Sequence, residues 1–128
     1  MTSVEIPTSV AAALPTLQVF DITNDVSREL RESRVPSGLA YVWPEAQLSM
    51  VRVTERESGF FVDLENMLIR LVPPDVSDRE RLLLLLLGPR TEQIPFVEGA
   101  LCLGQWQRVL LFGFNGDARA DYALTILG

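Results

Sequence analysis

An α+β domain whose strands outnumber its helices is what this sequence predicts, and three stretches carry that expectation. Glu98 to Gly116 reads as two strands pinned by glycines, with Gly99 in a turn and Gly104 where a strand bends. Asn115-Gly116 is the strongest short hairpin signal, because both central residues of a type I′ turn need a positive φ. The apolar run Val109, Leu110, Leu111, Phe112, Phe114 is therefore expected to fold back onto Arg119–Leu127 and anchor a sheet. That returning segment alternates, with Ala120, Tyr122, Leu124 and Ile126 on one face and Arg119, Asp121, Ala123 and Thr125 on the other. Lastly, Ser77-Asp78-Arg79-Glu80 reads as a capping box ahead of Leu82–Leu87. Leucine ranks high in helix propensity and no β-branched residue intervenes, so this run is expected to be helical.

Taken in order, Thr2 to Pro7 alternates weakly and is expected to be a first edge strand, ended by Pro7. Leu17 to Ile22 is a better strand. At Thr23-Asn24 the period changes: either residue can cap a helix with apolar positions at Val26 and Leu30, stopped by Pro36-Ser37-Gly38. Leu39–Trp43 is a strand, Pro44-Glu45-Ala46 an interruption, and Leu48–Thr54 a further strand with Leu48, Met50 and Arg52 on one face. Ser58 is expected to cap a second helix whose broad stripe holds Phe60, Phe61, Leu64, Met67, Leu68 and Leu71, ended by Pro73-Pro74. A third helix, Leu82–Leu87, is apolar all round and must be covered on several sides, by the sheet and by a neighbouring subunit. Gly88-Pro89 stops it, and Thr91–Val97 follows as a strand interrupted by Pro95.

At 128 residues the chain makes one domain, spanning residues 1–128, that buries roughly two-thirds of its unfolded surface. Apolar content of 48% and a mean hydropathy of +0.20 are high for a small domain, which points to apolar surface covered by another subunit. A net charge of −6 repels a polyphosphate backbone, so nucleic acid is not an expected partner. The longest apolar run is far below the roughly 20 residues of a membrane span. With Glu5 near the N-terminus and Val10–Leu14 too short for a signal peptide's apolar region, a cytoplasmic protein is expected. Cys102, the single cysteine, excludes a disulfide framework and is expected to be a small core residue. No histidine occurs anywhere, which removes Ser-His and Cys-His catalysis. Asp63, Glu65, Asp75 and Asp78 lack calcium-loop spacing and are expected to be solvated.

Several of these segments resemble the YjbQ-like family, which includes proteins described as secondary thiamine-phosphate synthases. Asp21-Ile22-Thr23 followed by Val26 is similar to its "DIT..V" segment, and Leu71-Val72-Pro73 to its "rLVP" helix end. Leu86-Leu87-Gly88-Pro89 resembles "sLLGp". Pro95, Gly99, Leu101, Leu103-Gly104 and Trp106-Gln107 resemble "vPv..G.L.LGtWQ". The likeness runs from about residue 17 to 128. It implies an antiparallel β-sandwich with about three helices, assembled as a homotrimer. It also implies histidines, in an "HTTA.LTINE" strand, after the "LVP" helix, and opening the leucine helix. Here the first falls on Trp43, with Pro44 and Glu45 at the two threonines and Val51 and Arg52 at the Asn-Glu pair. The second segment is deleted between Pro73 and Ser77, and the third histidine falls near Arg81. None of those ligands or bases can be carried over.

Three functions follow. The favoured one is a catalytically silent family member acting as an oligomeric scaffold or binding protein, with no metal and no cofactor. A second is an altered enzyme or binder of a small phosphorylated or carboxylated metabolite. There Arg52, Arg81 and Trp43 would contact an anionic ligand, with Glu45 as the weak candidate for a catalytic base. The plainer role for Glu45, Arg52 and Arg81 is a salt-bridge network at a subunit interface. A third is a non-catalytic subunit that partners a histidine-bearing paralogue.

Overall fold

The computed structural model describes residues 2–3, 14–114 and 120–128. The strands are β1 (Thr2–Ser3), β2 (Gln18–Asp21), β3 (Ser37–Pro44), β4 (Ser49–Glu55), β5 (Glu92–Val97), β6 (Ala100–Leu101), β7 (Gln107–Gly113) and β8 (Asp121–Leu127). The helices are α1 (Thr23–Ser33), α2 (Ser58–Leu71) and α3 (Arg79–Leu87). Every strand pair is antiparallel. One sheet has the order β1-β8-β3-β5-β6 and the other β2-β7-β4, so the fold is mixed α+β with three helices among the described residues.

The patterning of β7 explains its place. Val109 and Leu111 pack with Val42, Ile94 and Tyr122 of the five-stranded sheet, while Leu110 and Phe112 pack with Phe61, Leu68, Leu83 and Leu84 of α2 and α3. Buried on both faces, β7 is apolar without alternation and sits at the centre of its sheet. Strand β8 alternates because only one of its faces meets the core. The two strands therefore belong to different sheets, and the expected hairpin between them does not form. The Asn115-Gly116 turn itself lies outside the described residues, as does the expected strand end at Pro7.

The expected helix caps are replaced by neighbouring groups. Thr23 is already helical; its hydroxyl donates to Asp21 Oδ1 (2.7 Å) and accepts from Val109 N–H (2.8 Å), tying α1 to β7. Glu57, not Ser58, caps α2, its carboxylate accepting from Gly59 and Phe60 N–H at 2.7 Å each. The capping box before α3 is absent: Asp78 sits at φ 56°, and its side chain makes no capping bond.

On α2, Phe61 and Leu68 are buried, but Phe60, Met67 and Leu71 stand half-exposed, because the three-stranded sheet covers only part of the stripe. On α3, Leu83 and Leu84 face the core and Leu82, Leu85 and Leu86 do not. Glu98 (φ 53°) and Gly99 (φ 76°) make the tight β5–β6 turn. Pro95 does not interrupt β5: it lies in register with Leu39 of β3, and on the other edge it falls outside the two-residue β6 ladder, where its carbonyl accepts from Cys102 N–H (2.8 Å). Because β6 stops at Leu101, Cys102 falls outside the sheet and is exposed, contrary to the core placement expected.

Candidate functional site

The side chains singled out from sequence occupy separate places. Trp43 shares the outward face of β3 with Tyr41, since Ala40 and Val42 point into the core. The two aromatics line an open groove of about 430 Å³ with Thr91, Gln93, Thr125 and Leu127. Glu45 is exposed in the loop after β3, its backbone N–H donating to Asp121 O (3.2 Å). Arg52 lies on the helix-facing side of β4 and donates to Val51 O (3.0 Å) and Leu87 O (2.8 Å). Its charge thus meets the negative end of the α3 dipole. Arg81 is on the solvent side of α3, 3.7 Å from Asp78 and 76% exposed, a pair worth a few tenths of a kcal/mol. Among the described residues no ion pair joins Glu45, Arg52 and Arg81 within the chain.

The donor chemistry here does not fit a divalent transition metal. Tryptophan offers only an N–H, proline nothing, and arginine is permanently protonated and cannot ligate a cation. Imidazole, which binds such a metal while neutral and exchanges protons near pH 7, is missing from the whole sequence. Among the described residues no three His, Cys, Asp or Glu side chains converge.

Two polar clusters were not legible as such from the sequence. The first centres on Asp21, at the end of β2. Arg108 Nε donates to its Oδ2 (2.8 Å), Arg56 Nη1 lies 3.3 Å from the same oxygen, and Thr23 adds its N–H (3.0 Å) and hydroxyl to Oδ1. Asp21 pairs with Leu110 across the ladder, which places Arg108, two residues along, on the same face. This cluster borders an open groove of about 630 Å³ lined by Glu55, Arg56, Glu57, Gln105, Trp106 and Arg108. Burial pushes the Asp21 carboxyl up, but the Arg108 hydrogen bond, the two Thr23 bonds and the Arg108 charge outweigh it. Its pKa is held below the usual 3.8. The folded state therefore releases this proton more readily than the unfolded chain. The stabilisation is present above the unfolded value and is lost as pH falls through the lowered folded one. Asp21→Asn is expected to be less stable than wild type at neutral pH, with the gap closing below pH 3.8 in denaturant titrations run across pH. A pH-independent gap would assign the loss to packing instead.

The second cluster lies between α2, α3 and the chain entering β2. Glu65, expected to be solvated, is buried: its Oε1 accepts from Thr16 N–H (2.9 Å) and Leu17 N–H (2.8 Å). Arg79, assigned above to a capping box, is also buried and donates from Nε to Val72 O (2.6 Å) and from Nη1 to Thr16 Oγ1 (2.7 Å). Among the described residues, Glu65 Oε2 and Arg79 Nη2 find no hydrogen-bond partner. The only hint in the sequence is that position 65 lies between the apolar positions Phe61 and Leu68 on one helix face.

Elsewhere, the buried Tyr122 hydroxyl donates to Glu29, and burial followed by that carboxylate holds its pKa far above the ordinary tyrosine value. It stays neutral and is no candidate base.

The family model described as UPF0047 protein YjbQ-like matches residues 11–128. Among curated proteins, a UPF0047 protein of Archaeoglobus fulgidus is 31% identical over 109 residues, covering 78% of this chain and 83% of that protein. One from Methanothermobacter thermautotrophicus is 28% identical over 122 residues, covering 88% and 84%. Among solved structures, a hypothetical protein of Aeropyrum pernix superposes with a TM-score of 0.78 at 27% identity, covering 100% of this chain and 99% of that one. An uncharacterised YjbQ/UPF0047 protein of Clostridium acetobutylicum gives 0.79 at 24% identity, covering 99% and 100%.

Proposed function

This chain belongs to the YjbQ-like UPF0047 family, and from that premise we propose that it is a catalytically silent member acting as an oligomeric scaffold or binding protein. In this reading it is a single-domain cytoplasmic protein with its two sheets stacked as a β-sandwich and three copies forming the assembly. The observation that carries silence is the lack of any histidine in 128 residues, with tryptophan and arginine at or beside the positions where the resembled family has imidazoles. The assembly is supported by large apolar side chains that stand exposed among the described residues. Leu85 is 82% and Leu86 63% exposed, and Val97 and Leu127 stand out from the five-stranded sheet.

The test combines three measurements on purified protein and its gene. No stoichiometric transition metal is expected by elemental analysis, and no growth should be restored to a strain lacking thiamine-phosphate synthase. Light scattering should return three times the 14.3 kDa chain mass. Bound metal or restored growth would overturn silence; a monomer would overturn the assembly.

A second reading, binding of a small phosphorylated or carboxylated metabolite, is favoured by one observation. Arg52 pairs with no carboxylate among the described residues, and both its recorded bonds go to backbone carbonyls. A thermal-shift screen of such metabolites, repeated with Arg52→Ala, tests it. A shift lost in the variant supports binding, and a flat screen counts against it.

A further inference from the structure

Arg52 has no counter-ion among the described residues, and its surroundings are unusual for such a guanidinium. It borders a small groove of about 220 Å³ whose other walls include Met50, Thr54, Phe60, Leu64 and Phe112. The alternation of β4 places Met50, Arg52 and Thr54 on the face toward α2, where Met50, Leu64 and Phe112 belong to one hydrophobic cluster. The result is an apolar groove with one fixed positive charge at its edge and one hydroxyl among its walls.

We propose that this groove binds a small monocarboxylate carrying an apolar body, such as an aryl or short alkyl acid. The proposal rests on the binding reading above and narrows its ligand class. A guanidinium and a carboxylate match in charge and in fork geometry. The two recorded bonds to Val51 and Leu87 use one hydrogen of each terminal nitrogen, so of the five N–H groups three remain. Those bonds also fix the guanidinium before any ligand arrives, which lowers the ordering cost of binding. The apolar walls decide between carboxylate and phosphate. A phosphate carries more charge and more oxygens than one arginine and one threonine hydroxyl can satisfy, and each oxygen turned toward Phe112 or Leu64 would lose water without replacement. A carboxylate has two oxygens for the fork, and its apolar remainder gains by leaving water. The volume lies below the roughly 300–1,000 Å³ of sites for drug-sized ligands, so the body is limited to about one ring or a short chain.

Ligand-observed NMR titration of the full chain tests this with three probes of similar shape: phenylacetate, the neutral phenylacetamide and phenyl phosphate. Phenylacetate is expected to bind about tenfold or more tightly than the amide, the difference expected of a charge-assisted pair. Arg52→Gln should erase that preference. Phe60→Ala removes a half-exposed wall; it should weaken both probes while keeping the preference for the acid. If Arg52→Gln fails to fold, the acid-to-amide ratio in wild type and in Phe60→Ala still decides. Equal binding of acid and amide overturns the proposal. Tighter binding of phenyl phosphate, lost in Arg52→Gln, overturns it while leaving the broader anion reading standing. Binding of none of the three overturns the proposal, and the metabolite screen described above then decides the broader anion reading.

Discussion

Replacing Gly38 by alanine is expected to destabilise the fold by about 3–5 kcal/mol, near the top of the range for single substitutions. Gly38 sits in β3 at φ +150°, and a Cβ built on it would lie 1.8 Å from the carbonyl oxygen of Leu127 in β8. The obstacle is backbone, so no side-chain rotation relieves it. The next residue, Leu39, pairs directly with Leu127, and the same ladder continues to Pro44 and Tyr122. Accommodating the methyl group requires β3 and β8 to part at this end, with loss of ladder bonds, or β3 to leave a φ that only glycine adopts readily. For a domain of this size the shift in melting temperature should be roughly 10–20 °C, measured by calorimetry beside wild type. Gly99→Ala is the matched control. It also replaces a glycine at positive φ (76°), but nothing lies within 4 Å of its added Cβ, so it should cost only about 1 kcal/mol. Equal losses at both sites would show that conformational strain alone, and not the close approach to Leu127, sets the effect.

Gly38 also marks where a local reading of the sequence stops. Within Pro36-Ser37-Gly38 it reads as part of a helix stop, yet α1 ends at Ser33 with Arg34 in the left-handed region, and Gly38 is already inside β3. Its requirement comes from a strand that lies 89 positions away, counting from 38 to 127. The same limit separates what was legible from what was not. The run at β7, the alternation at β8, and helices over Val26–Leu30, Phe60–Leu71 and Leu82–Leu87 are local patterns, and all are present. Which strands pair is a non-local matter. The Asn115-Gly116 pattern is a local turn signal and does not say which strands pair: β2 and β4 occupy the two edges of β7, and β8 pairs with β3 in the other sheet. Nor does a broad apolar stripe say how much of it its own chain covers, as the half-exposed Phe60 and Met67 show. At the candidate site, Arg52 was legible as a cation on the face of Met50. Its groove was not, because Phe60, Leu64 and Phe112 reach it only once α2 has packed onto the sheet.

The cluster at Glu65 and Arg79 sets the second large expectation. Glu65→Ala should cost about 3 kcal/mol or more, while Glu65→Gln should cost less than half as much. The alanine leaves the Thr16 and Leu17 N–H groups buried without an acceptor, at roughly 1–3 kcal/mol each, and it opens a cavity beside α2. The glutamine keeps a single oxygen able to accept both bonds. It also neutralises a buried charge whose second oxygen finds no partner among the described residues, which offsets part of what it loses. Arg79→Ala is expected to fall in the range of Glu65→Ala, since it strips donors from Val72 O and Thr16 Oγ1. The two side chains meet through one residue: Glu65 holds the Thr16 backbone and Arg79 its hydroxyl. Once either is removed, Thr16 is less firmly held and the other has less to lose, so the double substitution should fall short of the sum by about 0.5 kcal/mol or more in a double-mutant cycle. Strict additivity would mean that α2 and α3 grip this segment independently. A loss for Glu65→Gln as large as for Glu65→Ala would mean that the charge of Glu65, rather than its two backbone bonds, is what the fold depends on.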